Sequence, residues 1–241
     1  MLDVEEQSGV TVVRLAHGKV NALDLELLRA ITDAMRELDP GTPVVLTGSG
    51  SVFCAGVDLR RIVDGGPDYV REYLPALSEA FLAVFDHPGP VVAAVNGHAL
   101  AGGCVIAAAC DVRLMSQGTI GLTELGVGVP FPTAAIEIMR HVVGPAAERL
   151  VLTAAPLDVA GAVAIGLVQQ VPDAFGAAVT LAAAMGEVPA DVYAFSKRQL
   201  RQPVWERIAA HDSADAEVLE VWSSDRSRDA ITAYLESLRR R

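Results

Sequence analysis

Residues 93–114 read AAVNGHALAGGCVIAAACDVRL, and three signals in that stretch decide the fold. The apolar run PVVAAVNG at 90–97 has the length and composition of a buried strand. The pair Gly102-Gly103 then turns the chain, and the small residues of 102–109 continue as a helix. The first N–H groups of such a helix lack intrahelical acceptors, and its dipole adds partial positive charge there. The turn is therefore suited to hold negative charge on oxygen. One turn further on, where an acid could face the same pocket, stands Val105.

Working outward, VTVVRL at 10–15 reads as a strand, His17-Gly18 as a turn, and Asp24 as the N-cap of a helix over 25–38. Asp39-Pro40-Gly41 ends that helix, and PVVLTGSG at 43–50 is a second buried strand. SVFCAGVDL at 51–59 leaves the sheet through a small-residue kink. Residues 60–68, with Asp64-Gly65-Gly66-Pro67, read as a loop. Tyr69, Tyr73, Leu77 and Phe81 then recur at helical spacing. VRLMS at 112–116 and GTIGL at 118–122 are short strands. Beyond GVGVPFP at 126–132 the pattern is helical, over 133–142, 145–153, 158–164, 174–185 and, more charged, 190–241. The plan is an α/β core over 1–188 with a helical region over 189–241 that ends on Arg239-Arg240-Arg241.

The 241 residues are 51% hydrophobic and 20% charged, which supports a large core and argues against disorder. A net charge of −11 argues against a nucleic-acid partner. Cys54, Cys104 and Cys110 lie in apolar or small-residue runs without C-x-x-C spacing, the pattern of reduced, buried thiols in the cytoplasm. The amino end (Asp3, Glu5, Glu6) lacks the basic n-region of a secretory signal. Residues 91–110 approach the length of a membrane span, but Asn96, His98 and the glycines interrupt them, so no membrane partner is expected.

Two glycine turns each follow a strand: CAGVD at 54–58 and LAGGC at 100–104. If those strands are neighbours, the N–H groups of Val57 and Gly102 can converge on one point and form an oxyanion hole for a carbonyl that becomes an enolate or a tetrahedral oxyanion. Other chemistries find less support. GSGSVF at 48–53 is not a G-x-G-x-x-G turn, and no P-loop, H-E-x-x-H, metal-spaced Cys/His set or G-x-S-x-G elbow is present.

The pairing of VFCAGVDL with AAVNGHALAGGC…CDVRL resembles the enoyl-CoA hydratase/isomerase (crotonase) superfamily. KVNALD at 19–24 and GLTELGVGVPFP at 121–132 resemble its other two landmarks, in the right order. The resemblance covers nearly the whole chain. It implies a spiral of ββα turns in two roughly perpendicular sheets and a helical C-terminal trimerisation region, giving a homotrimer or a dimer of trimers. It also implies an acyl-CoA thioester whose carbonyl is held by the N–H groups of Val57 and Gly102. CoA is then part of the substrate, and no separate cofactor is implied. A largely main-chain site at Val20, Ala22, Ala55, Gly56, Asp58 and Leu59 would hold adenine and pantetheine, with Asp58 also capping the helix that follows. Candidate contacts for the CoA phosphates are Lys19, Arg60, Arg61, Lys197 and Arg198.

Hydratases of this family place one glutamate three residues after the oxyanion-hole glycine, where this chain has Val105, and a second where it has Glu124. Hydration uses two carboxylates on one water, whereas shifting a double bond needs only one base that takes a proton from one carbon and returns it to another. Glu124 alone therefore favours Δ3,Δ2-enoyl-CoA isomerisation, and burial among Ile120, Leu122, Leu125 and Val127 should raise its pKa. Hydration with a substitute acid and silent acyl-CoA binding are the alternatives. Substitute acids would come from Glu137, Asp64, Asp68 or Glu72, each read as a solvated charge, and His98 reads as structural. Tyr69, Tyr73, Leu74 and Phe131 are expected in the wall of the acyl pocket.

Overall fold

The computed structural model describes residues 1–239, so Arg240 and Arg241 of the basic end fall outside the described residues. The chain opens with a hairpin of β1 (Leu2–Gln7) and β2 (Val10–Leu15), turned at Ser8-Gly9, both at positive φ. Helix α1 (Leu25–Glu37) follows, with the Asp24 carboxylate accepting from the Leu27 N–H as its cap. Next come β3 (Val44–Gly48), β4 (Val52–Cys54), α2 (Leu59–Asp86), β5 (Val91–Val95), β6 (His98–Leu100), α3 (Gly102–Ala109), β7 (Val112–Met115) and β8 (Thr119–Gly121). The second half holds α4 (Glu124–Val127), α5 (Thr133–Val143), α6 (Ala146–Thr153), β9 (Leu157–Asp158), α7 (Val159–Ala164), β10 (Gln169–Gln170) and α8 (Ala174–Gly186). Three further helices follow: α9 (Ala190–Ala210), α10 (Asp212–Trp222) and α11 (Asp225–Arg239).

The strands form two sheets. The larger runs β1-β2-β3-β5-β7-β10 and is parallel apart from the β1–β2 hairpin. The smaller runs β4-β6-β8-β9 and is parallel except at β8–β9. β3 and β5 are buried along their whole length, as inner strands of a covered parallel sheet must be, which accounts for their unbroken apolar runs. The stretch at 91–110 is thus β5, β6 and α3, and no single helix among the described residues is long and apolar enough to cross a membrane.

Two expectations need correction. Strand β1 was hidden by its charges: as an edge strand it leaves Asp3, Val4, Glu5 and Glu6 exposed, and only Leu2 and Val4 mark an apolar alternation. Residues 60–68 are not a loop. Asp58 caps a helix that starts at Leu59 and continues to Asp86, broken only where Gly66 takes φ 61°, ψ −159°. Pro67 then restarts it, a residue whose fixed φ suits a first helical position. The run of turn-forming residues marked a kink between two helical pieces.

Candidate active site

The first wall of the site is a strap between KVNALD and CAGVD. Asn21 is buried at φ 52°, and its Nδ2 donates to the carbonyls of Val52 (3.0 Å) and Phe53 (3.1 Å). The Ala55 N–H donates to Val20 O at 3.0 Å, the Leu23 N–H to Gly56 O at 2.7 Å, and the Asp58 N–H to Leu23 O at 2.9 Å. This is a parallel bridge between Leu23 and Val57. Bonds made by the residues flanking Val57 turn its own N–H to the opposite side of the strap. The strap therefore joins Val20, Ala22, Ala55, Gly56, Asp58 and Leu59 in one backbone unit. Val20 is exposed, Gly56 is buried and the other four are half-buried.

The second wall is the start of α3. Ala101 takes φ 52°, ψ −127°, a strained setting for a residue with a side chain. Its N–H donates to Gly121 O at 2.9 Å, and its carbonyl accepts from Cys104 and Val105. The N–H groups of Gly102 and Val57 meet no backbone or side-chain acceptor among the described residues. The two walls touch. A Cβ on Gly56 would stand 2.6 Å from Leu100 O and 3.2 Å from Gly102 N, and one on Gly103 would stand 2.3 Å from Cys54 O. Only glycine permits that approach at either position. Over Gly102 lie Leu23, Leu77 and Phe81.

Glu124 opens α4, directly after β8. Only 6% of it is exposed, its Oε2 accepts from the Thr123 N–H at 2.8 Å, and no cation pairs with it among the described residues. Burial pushes its pKa up to about 7, against a partial pull downward from the N–H groups of Glu124 and Thr123. The Gly121 carbonyl that accepts from the Ala101 N–H lies three residues before Glu124, which ties the approach to α4 to the start of α3. Around Glu124, Ile120, Leu122 and Val127 are buried, but Leu125 is 40% exposed, because a single helical turn sends the next residue outward. Val105 is buried in α3 and brings no acid.

The remaining candidates separate clearly. Asp64, Asp68 and Glu72 are exposed, Asp68 pairing with Arg71 and Glu72 with Arg29 at 2.9 Å. Glu137 is not a solvated charge: it is buried and ion-paired with Arg140 (2.6 Å) and Arg207. Burial works to raise its pKa, and the two guanidiniums outweigh that and hold it low. His98 is exposed, with Nδ1 2.8 Å from Thr119 Oγ1. Of the phosphate candidates, Lys19 and Arg60 are exposed, Arg61 pairs with Glu26, and Arg198 lies over the Phe195 ring.

Lys197 must be withdrawn from that set. It is 8% exposed, and its Nζ donates to Asp111 (2.8 Å) and to Gly89 O (2.9 Å). Arg201, one helical turn further along α9, donates to the other oxygen of Asp111 at 2.7 Å. The i, i+4 spacing of these two cations on a helix was the available signal, but their shared acid lies about ninety residues earlier in the chain.

Sequence reasoning also missed Trp222. It is buried, its Nε1 donates to Pro130 O at 2.8 Å, and its ring lies 6.5 Å from that of Tyr73, which in turn stacks on Tyr69 at 5.7 Å. Helices α10 and α11 thus fold back on α2, and α11 also meets α4. A cavity of about 750 Å3 between α5, α6 and α9 lies at Ile136, Arg140, Leu152 and Arg207, and includes neither Gly102 nor Glu124.

Comparison with known proteins identifies the family and the fold. Residues 5–241 match the family model described as Enoyl-CoA hydratase/isomerase. Human mitochondrial enoyl-CoA delta isomerase 1 is 27% identical over 251 residues, 99% of this chain and 83% of its own. A provisional enoyl-CoA hydratase of Thermus thermophilus is 38% identical over 152 residues, a match that spans 61% of this chain and 59% of that relative. Among solved structures, human mitochondrial delta3-delta2-enoyl-CoA isomerase superposes with a TM-score of 0.92 at 28% identity, covering 99% of this chain and 98% of that one. An enoyl-CoA hydratase/isomerase from Xanthobacter autotrophicus Py2 gives 0.85 at 27%, covering 99% and 93%. With its two touching glycine turns and its buried glutamate, the chain belongs to the enoyl-CoA hydratase/isomerase family, a family of enzymes.

Proposed function

We propose that this protein is a Δ3,Δ2-enoyl-CoA isomerase in which Glu124 is the only acid/base. The observation that carries the reading is a single buried carboxyl with a pKa of about 7 beside the α3 turn, with apolar Val105 in place of a second acid. The thioester carbonyl accepts from the N–H groups of Val57 and Gly102. Glu124 removes a proton from C2, and the electron pair left there joins the carbonyl and the C3=C4 bond in one conjugated dienolate, its oxygen charge held by the two N–H groups and the α3 dipole. The protonated Glu124 then delivers the proton to C4, leaving the double bond at C2=C3 conjugated with the thioester. A base near neutrality suits both transfers.

Hydration with a substitute acid loses its candidates: Glu137 is bound by two arginines, and Asp64, Asp68 and Glu72 are exposed. The CoA moiety is read as lying along the Val20–Leu59 strap, with no separate cofactor. The family resemblance supports a homotrimer or a dimer of trimers, and three unpaired, buried cysteines suit a reducing cytoplasm. The test is turnover of purified protein on 3-enoyl-CoA and 2-enoyl-CoA. Isomerisation without hydration is expected, whereas hydration of the 2-enoyl substrate at a comparable rate, or tight binding with no turnover, refutes it.

A further inference from the structure

The first oxyanion donor stands on a slender support. Strand β4 ends at Cys54, and at Val57 the strap is paired by one isolated bridge rather than by a ladder. The direction of the Val57 N–H therefore depends on Leu23, whose N–H donates to Gly56 O at 2.7 Å and whose carbonyl accepts from the Asp58 N–H at 2.9 Å. The side chain of Leu23 reaches the second donor: a Cβ on Gly102 would stand 2.9 Å from its Cδ1. Leu23 is thus the joint between the two donor turns, its backbone on one and its side chain on the other.

A single side chain hydrogen-bonds that joint among the described residues. The Tyr73 hydroxyl donates to Leu23 O at 3.1 Å and fills the second lone pair of that carbonyl. Tyr73 is fully buried on α2, and its ring stacks on that of Tyr69 at 5.7 Å. The Tyr69 hydroxyl in turn accepts from the Leu25 N–H at 3.1 Å, two residues beyond the joint. Leu77 and Phe81, one and two turns past Tyr73 on the same face of α2, lie over Gly102. One helix face therefore backs both donors, by a hydrogen bond at the first and by packing at the second. Donors of this kind act only when held to within about 0.5 Å of the productive geometry, and an isolated bridge has no neighbouring rungs to hold it.

We propose that Tyr73 is a positioning residue of the oxyanion hole, fixing the Leu23 carbonyl so that the Val57 N–H points at the thioester carbonyl beside that of Gly102. The assignment rests on the reading of Val57 and Gly102 as donors to a thioester carbonyl, but not on which reaction follows. The hydroxyl is engaged by Leu23 O, so it acts through the backbone rather than on the substrate.

Calorimetric titration with butanoyl-CoA and with S-butyl-CoA, the thioether that lacks the carbonyl oxygen, tests this. Wild type should bind the thioester about tenfold more tightly than the thioether, the contribution of two hydrogen bonds to one oxygen. Tyr73→Phe keeps the ring and leaves Leu23 O bonded to the Asp58 N–H. It should bind the thioether as wild type does and retain a preference for the thioester of about threefold or less. Tyr73→Met, flexible enough to fill the same space, gives the same comparison should the phenylalanine variant fail to fold. A hydroxyl that served only the fold would weaken both ligands alike, so an unchanged thioester-to-thioether ratio overturns the assignment of Tyr73 and leaves the acyl-CoA reading standing. A wild-type protein that binds neither ligand, or both equally, overturns the reading of the donors and the assignment with it.

Discussion

Glu124→Gln removes a charge while keeping the side chain's volume and an acceptor for the Thr123 N–H. The native carboxyl keeps its proton up to about pH 7, against an unperturbed value of 4.5. Between those values the native state binds more protons than the unfolded chain, so stability falls as pH rises. The penalty is small below 4.5 and complete above 7. The gap between 4.5 and about 7, at about 1.36 kcal/mol per pH unit, amounts to about 3 kcal/mol. Glutamine has no such dependence. Urea unfolding of both proteins should show the variant gaining on wild type by roughly 2.5 kcal/mol between pH 5 and pH 8. Over the same range its turnover of 3-enoyl-CoA should lie about 10²- to 10⁴-fold below wild type, the usual contribution of a positioned acid/base. A stability difference equal at the two pH values refutes the reasoning, because a group ionised at both would not be the raised carboxyl on which the mechanism depends.

Other perturbations probe the parts that surround Glu124. In wild type, kcat/KM should rise about tenfold per pH unit up to about 7 and then level off, since the base must be ionised to take the first proton; a flat profile from pH 5 to 9 contradicts this. Gly56→Ala would place a Cβ 2.6 Å from Leu100 O and 3.2 Å from Gly102 N, forcing the donor loops apart. Turnover should fall about hundredfold or more, and a variant with undiminished kcat would show that the loops do not act together. Lys197→Met leaves Asp111 with Arg201 as its one remaining cation, so the protein should lose roughly 1–3 kcal/mol of stability with little change in acyl-CoA affinity. The reverse pattern, weak binding at unchanged Tm, would return Lys197 to the phosphate set.

Parallel strands buried on both faces are written in sequence as unbroken apolar runs, and β3 and β5 were legible for that reason. Asp24 and Asp58 were legible as caps because a carboxylate accepting from the following N–H groups is a local interaction. Edge strand β1 and the helical piece before Gly66 were not. The first carries the charges of an exposed edge, and in the second the capping signal of Asp58 was outweighed by the turn residues that follow.

The glycine turn at 102 and 103, the missing acid at Val105 and the retained Glu124 are properties of the sequence alone, because each depends only on residue type and near neighbours. What they amount to together is tertiary. The Leu23–Val57 bridge turns the Val57 N–H outward, and the approach of Gly56 to Gly102 N sets it beside the second donor. Burial without a cation, which no local pattern encodes, raises Glu124 to about 7. The same holds for Lys197 and Trp222, whose partners Asp111 and Tyr73 lie some ninety and one hundred and fifty residues away along the chain. Local chemistry can be read from adjacent residues, whereas charge pairing, desolvation and the walls of a cavity depend on which distant segments meet.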